Sequence, residues 1–168
     1  MFLSLYRAID KLSVFLVILG GAVILIQTLW ISYGVFMRYI MNSPDRMVTE
    51  ATALLLVPTA FAGLAYALRE DAYPKVTFLT QALNIKSQVA LQRLNLILKF
   101  SIGLFFSVAA VSATLNSYAS GAASEILLWP RFYFWIPVAF SLCVFTFYCA
   151  LHFIGTFLPQ DLSPEEQN

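Results

Sequence analysis

Four charged side chains, Arg38, Asp45, Arg46 and Glu50, stand close together between two long apolar runs. Two guanidinium groups and two carboxylates in so short a stretch could pair with one another, end or begin helices, carry a coupling proton, or present charge to another molecule. Glu50 opens the second apolar run, where the helix dipole favours an acid that has no catalytic role. It is also the only carboxylate placed for membrane proton coupling, the chemistry a small multidrug exporter would require. Asp45 and Arg46 follow "NSP", a turn expected to project both charges outward. Arg38 and Glu50 are instead placed to fix the two helix ends and their local pairing.

The elements that must position these groups are membrane helices. Apolar residues make up 60% of the chain, charged residues 11%, and mean hydropathy is +0.79, far from the composition of a soluble domain. Uncharged runs extend from Leu12 to Met37, Ala51 to Leu68, Phe100 to Ser124 and Phe132 to Gln160. Each is at or near the roughly 20 residues that cross a bilayer as a helix. The expected fold is an all-α integral membrane protein, one domain over 1–168, with approximate spans 12–37, 48–68, 100–124 and 132–157. Arg7 and Lys11 precede the first run as in a secretory signal, but its length exceeds the roughly 7–15 residues of a signal core, so the segment is expected to stay attached.

Lys and Arg favour connections that stay in the cytoplasm. Arg7, Lys11, Arg69, Lys75, Lys86, Arg93 and Lys99 fall on one side of the expected spans, and only Arg38, Arg46 and Arg131 on the other. Both termini are therefore expected in the cytoplasm, although the acidic tail with Asp161, Glu165 and Glu166 supplies no positive signal. The connection over 74–99 is too long for a turn. Val76, Phe78, Leu79, Ala82 and Leu83 can share one side of a short helix starting near Pro74, an amphipathic segment suited to the membrane surface. The mixed stretch Lys86 to Lys99 then reads as the wet first half of a long third helix.

Helices in lipid associate by close packing, which marks small-residue faces as contacts. Gly103, Ser107, Ala110, Thr114, Ser117 and Gly121 fall within roughly 100° of arc at 3.6 residues per turn. Thr59, Gly63 and Ala67 line the second span, and Gln27, Trp30, Gly34 and Arg38 align on the first. Such seams can close a four-helix bundle or meet another subunit. In "LLWPRFYFWIP", Trp129, Tyr133 and Trp135 surround Arg131, a pattern suited to the headgroup zone and to lipid contacts.

Several chemistries have no residues to carry them. The uncharged runs hold no Asp, Glu, Lys or Arg, and the sole histidine, His152, cannot by itself supply both axial ligands of a bis-histidine haem. Cys143 and Cys149 are six residues apart in one helix and face apart, so neither a disulfide nor a metal motif follows. No phosphate loop, metal-spaced His/Glu pair or Ser/His/Asp set occurs, and neither enzyme activity nor a cofactor is expected. A net charge of +1 without basic runs gives no reason to expect nucleic acid. A subunit or scaffold fits better than a complete transporter.

The order of features resembles the small membrane subunit (DctQ-like, Q subunit) of tripartite ATP-independent periplasmic (TRAP) transporters. The resemblance rests on "FMRYIMNSP" after the first span, the glutamate in "VTEATALLLVPTAFAGLAYALRE", the stretch "AYPKVTFLTQAL", and "LLWPRFYFWIPVAF" before the fourth span. Two departures stand out: "RMVTE" lacks the tryptophan that often precedes the glutamate, and Tyr73 and Thr77 stand where the family often has a His and an Asp. The resemblance implies a bacterial inner-membrane system for secondary, sodium-driven import of an organic acid captured by a periplasmic substrate-binding protein. Its large membrane subunit holds the substrate and sodium sites and moves as an elevator. The small subunit braces the scaffold and contributes to docking, for which Asp45 and Arg46 are the candidates here. The competing expectation is a self-associating tetraspan protein, structural or regulatory, with no transport activity.

Overall fold

The computed structural model describes residues 2–73 and 84–155. It contains helices α1 (Phe2–Tyr39), α2 (Arg46–Ala62), α3 (Leu64–Arg69), α4 (Ile85–Ala119) and α5 (Phe132–Gly155). Helices α2 and α3 act as one span, so four stretches are long and apolar enough to cross a membrane. The fold is all-α, with no strand among the described residues. The short interfacial helix expected from Pro74, the acidic tail and the end of the fourth expected span lie outside the described residues.

At about 1.5 Å per residue, α1 with 38 residues and α4 with 35 extend roughly 57 and 52 Å. Both exceed a hydrocarbon core of about 30 Å, so each must overhang or tilt. The mixed stretch before Lys99 belongs to α4 without a break. In the second span Pro58 lacks the N–H that would close a ladder bond, and the helix yields at Gly63 before α3 resumes.

Helix α5 is the centre. In its most apolar window 56% of residues are buried, against 17% in each other span, because α1, α2, α3 and α4 all pack on it. One cluster joins Ile9, Leu16 and Ala65 to Val144, Phe145, Tyr148, Cys149 and Leu151. A second joins Ala110 to Val138, Ala139 and Leu142. The bundle is open rather than closed, since α1 lies mainly on α2, α4 lies mainly on α5, and α1 and α4 share no extended contact.

The α4–α5 seam uses the small residues that periodicity marks. A Cβ on Gly103 would sit 2.8 Å from Thr146 Oγ1 and 3.0 Å from the Phe145 ring, so only glycine permits this approach. One turn on, the buried hydroxyls of Ser107 and Thr146 share a 2.9 Å hydrogen bond. Between α1 and α2 the close approaches are Gly20 on Ala62 and Gly34 on Val48, where a Cβ would meet carbon at 2.8 and 2.7 Å. Buried Gln27 lies between them, its Nε2 donating to the Thr52 carbonyl at 3.4 Å.

Candidate functional site

The charged stretch of the sequence sits at the end of the molecule where α1 turns into α2. Asn42 takes a left-handed φ of 51°, a conformation asparagine accepts more readily than most residues. Pro44 keeps Ser43 out of the helical region, and Asp45 is extended, with its Oδ1 accepting from the Met47 N–H at 2.8 Å. Asp45 is therefore the N-cap of α2. Asp45 and Arg46 are both exposed. Arg38 is exposed at the end of α1, and neither Arg38 nor Arg46 has an ion-pair partner among the described residues.

Glu50, one turn into α2, is engaged differently. Its Oε1 accepts from the Glu125 N–H at 2.7 Å and the Ile126 N–H at 3.1 Å, while Oε2 accepts from Ile126 at 3.0 Å and Leu127 at 2.7 Å. Three consecutive amides of the α4–α5 connection thus converge on one carboxylate, a concave arrangement of backbone dipoles suited to an anion. Arg131 adds a favourable Coulomb interaction with the same carboxylate.

The local sequence explains why this connection can offer its amides. Helix α4 ends on Ser120, and Gly121 follows at φ +62°. The Gly121 N–H donates to the Tyr118 carbonyl at 3.3 Å and the Ala122 N–H to the Ser117 carbonyl at 3.3 Å, the paired closure of a glycine C-cap. The two arms of the loop are then tied by Ser124 N–H to the Trp129 carbonyl at 2.9 Å and Arg131 N–H to the Ala122 carbonyl at 2.9 Å. The Trp129 N–H donates to Ser124 Oγ at 3.1 Å. Leu128 turns the tip with φ +54°.

The aromatic segment divides in two. Trp129 and Tyr133 are exposed, with Trp129 stacked on Phe134 at 6.3 Å. Trp135 is half-buried and packs on the cluster around Ala110 and Leu142. Gly103 and Ser107 are buried in the α4 seam and Thr114 is half-buried beside it, whereas Gly121 lies beyond the helix with open space at its Cβ position. Thr59, Gly63 and Ala67 are half-buried, and a Cβ on Gly63 would meet Val17 at an ordinary 3.8 Å.

The opposite end of the molecule carries a lock that the sequence reading missed. Arg69 Nε lies 2.9 Å from Asp10 Oδ1, joining α3 to α1. The Tyr6 and Tyr148 hydroxyls share a 2.9 Å hydrogen bond between α1 and α5. The Tyr73 hydroxyl donates to the Leu64 carbonyl at 2.9 Å, and Lys99 Nζ stands 4.6 Å from the Tyr73 ring centroid. A signal was present in Asp10, the single acid within the otherwise basic start of the chain, at the end of the molecule that also holds Arg69. Among the described residues no three His, Cys, Asp or Glu converge as a metal site.

These features define a multi-pass helical membrane protein whose polar groups fasten its own helices and loops to one another. The family to which it belongs follows from comparison with known proteins: residues 27–158 match the family described as tripartite ATP-independent periplasmic transporters, DctQ component. The chain belongs to that family and is a component of a TRAP transporter. Neither the curated proteins nor the solved structures compared with it gave a match.

Proposed function

We propose that the chain is the small, non-moving membrane subunit of a sodium-driven TRAP transporter that imports an organic acid delivered by a periplasmic substrate-binding protein. In this reading it lies in the bacterial inner membrane with both termini in the cytoplasm. It enlarges the scaffold of the large elevator-type subunit and supplies part of the docking face for the binding protein. The observation that carries the reading is the fastening at both ends of the molecule, by Glu50 on the α4–α5 loop and by Asp10 on Arg69. Long apolar flanks meanwhile stay uncovered, as at Phe105, Val108, Leu115, Leu25 and Leu29. A body secured to itself, with surface left to bury, suits a brace rather than a mover.

Asp45 and Arg46 are the docking candidates on the periplasmic end, because both are exposed on a fixed turn. Trp129, Arg131 and Tyr133, with Trp135 beneath them, would meet lipid headgroups at the same level. The test is to express the tagged chain in its native host, extract it in mild detergent and identify bound proteins by mass spectrometry. A large polytopic membrane protein at fixed stoichiometry is expected. Recovery of identical copies alone, with the partners expressed, would overturn the reading in favour of a self-associating protein.

A further inference from the structure

We propose that Glu50 is the positioning residue of the face formed by the α1–α2 turn and the α4–α5 loop, acting through the amides of Glu125, Ile126 and Leu127. All four hydrogen bonds to its carboxylate come from main-chain N–H groups. The charge is therefore spent on fixing the path of a loop. That loop needs fixing: its tip places Leu128, a branched residue, at φ +54°, and leaves Leu128 and Trp129 exposed. A non-glycine residue in the left-handed region is unfavourable and persists where surrounding contacts impose it. The hairpin bonds of Ser124, Trp129 and Arg131 close the base of the loop, whereas Glu50 holds the tip.

The same helix turn carries both parts of the face. Arg46 stands four residues before Glu50, hence above it on the same side of α2, and Asp45 caps that turn. The α1–α2 charges and the loop tip with Leu128 and Trp129 thus share one anchor and keep a fixed separation while Glu50 is ionised and seated. A neutral amide at this position offers one acceptor oxygen in place of two and turns its own N–H groups toward donors. Removing the side chain takes the carboxylate from three converging amides and leaves water to meet the exposed ones.

Hydrogen exchange of the segment 122–131, followed by mass spectrometry on the complex purified in mild detergent, reads these amides directly. Glu50→Ala is expected to speed exchange at Glu125, Ile126 and Leu127 by about tenfold or more, since their opening no longer breaks charge-assisted bonds. Glu50→Gln is expected to give an intermediate rise, and added acetate to restore part of the protection in Glu50→Ala only. Unchanged protection at these amides in both variants would overturn the proposal. Its consequence for transport rests on the small-subunit reading: the KM for the loaded binding protein should rise several-fold in Glu50→Gln while maximal uptake holds. Lost protection with an unchanged KM would overturn the positioning role. The exchange readout does not depend on transport, and partner recovery judges the subunit reading separately.

Discussion

Replacing Gly103 by alanine sets two effects of known size against each other. In an exposed helix position the change should stabilise by about 1 kcal/mol, because alanine loses less backbone freedom than glycine. At Gly103 the new Cβ would lie 2.8 Å from Thr146 Oγ1 and 3.0 Å from two carbons of the Phe145 ring. Neither neighbour has slack, since Phe145 is in the central cluster and Thr146 is buried with its hydroxyl bonded to Ser107 and to the Leu142 carbonyl. Overpacking of this kind costs about 1–3 kcal/mol, and loosening the Ser107–Thr146 bond adds about 0.6 kcal/mol, the average for such bonds between membrane helices. The net expectation for Gly103→Ala is a loss of about 1–2 kcal/mol. Gly21 supplies the control, since a Cβ there meets nothing within 4 Å and Gly21→Ala should be neutral or stabilising by up to about 1 kcal/mol. Reversible unfolding in mixed micelles, followed by tryptophan fluorescence, measures both. A Gly103→Ala protein as stable as Gly21→Ala would refute the close-approach account of the α4–α5 seam.

Other perturbations test the remaining fastenings. A double-mutant cycle on Asp10→Asn and Arg69→Gln should return a coupling of about 0.2–1 kcal/mol, as for partly exposed ion pairs, and it should shrink in high salt; zero coupling in low salt would remove the lock between α1 and α3. Gly20→Leu should separate α1 from α2, because even a Cβ there meets Ala62 at 2.8 Å, and faster proteolysis at the α1–α2 turn is the expected sign. Exchanging the charges of Asp45 and Arg46, Asp45→Arg with Arg46→Asp, should weaken binding-protein docking in low salt and leave assembly with the large subunit intact; unchanged docking and uptake would discard these two residues as contacts.

The four apolar runs made the membrane helices legible, because span length is set by bilayer thickness and leaves a long signature in the chain. Periodicity also exposed the Gly103, Ser107 and Ala110 seam, since small residues one turn apart are what close helix packing requires. The α1 seam was legible in principle: Ser13, Gly20, Gln27 and Gly34 recur every seven residues, and Ser13, Gly20 and Gln27 are buried. A seven-residue spacing keeps one face toward a partner helix that crosses at a shallow angle. The partners of Glu50 could not be read, because backbone amides carry no residue-type signature and these stand 75 or more residues away in the chain. Asp10 and Arg69 were visible as opposite charges on one side, but they belong to different helices, and only the packing of α3 on α1 brings them together.

Helix α4 packs mainly on one neighbour, α5, and what holds it there follows from the physics of lipid. Hydrocarbon rewards no burial of apolar surface against another helix, so a span is held by close packing and by the few polar bonds it can make. Within the α4–α5 seam these include the glycine approach at Gly103, the hydroxyl pair of Ser107 and Thr146, and small Ala110 against α5. The loop beyond its end adds the Glu50 carboxylate. Its other flank bears Phe105, Val108 and Leu115 in the open, and Phe105 and Val108 line a shallow concavity with Ser101, Leu104 and Ala109. The packing contacts lie within the span and should respond little to salt, whereas the ion pairs and the α4–α5 loop lie at the ends of the molecule and should respond to it. A comparison of stability in low and high salt would therefore separate the two kinds of fastening: Gly103→Ala should cost the same in both, and the Asp10–Arg69 coupling should fade.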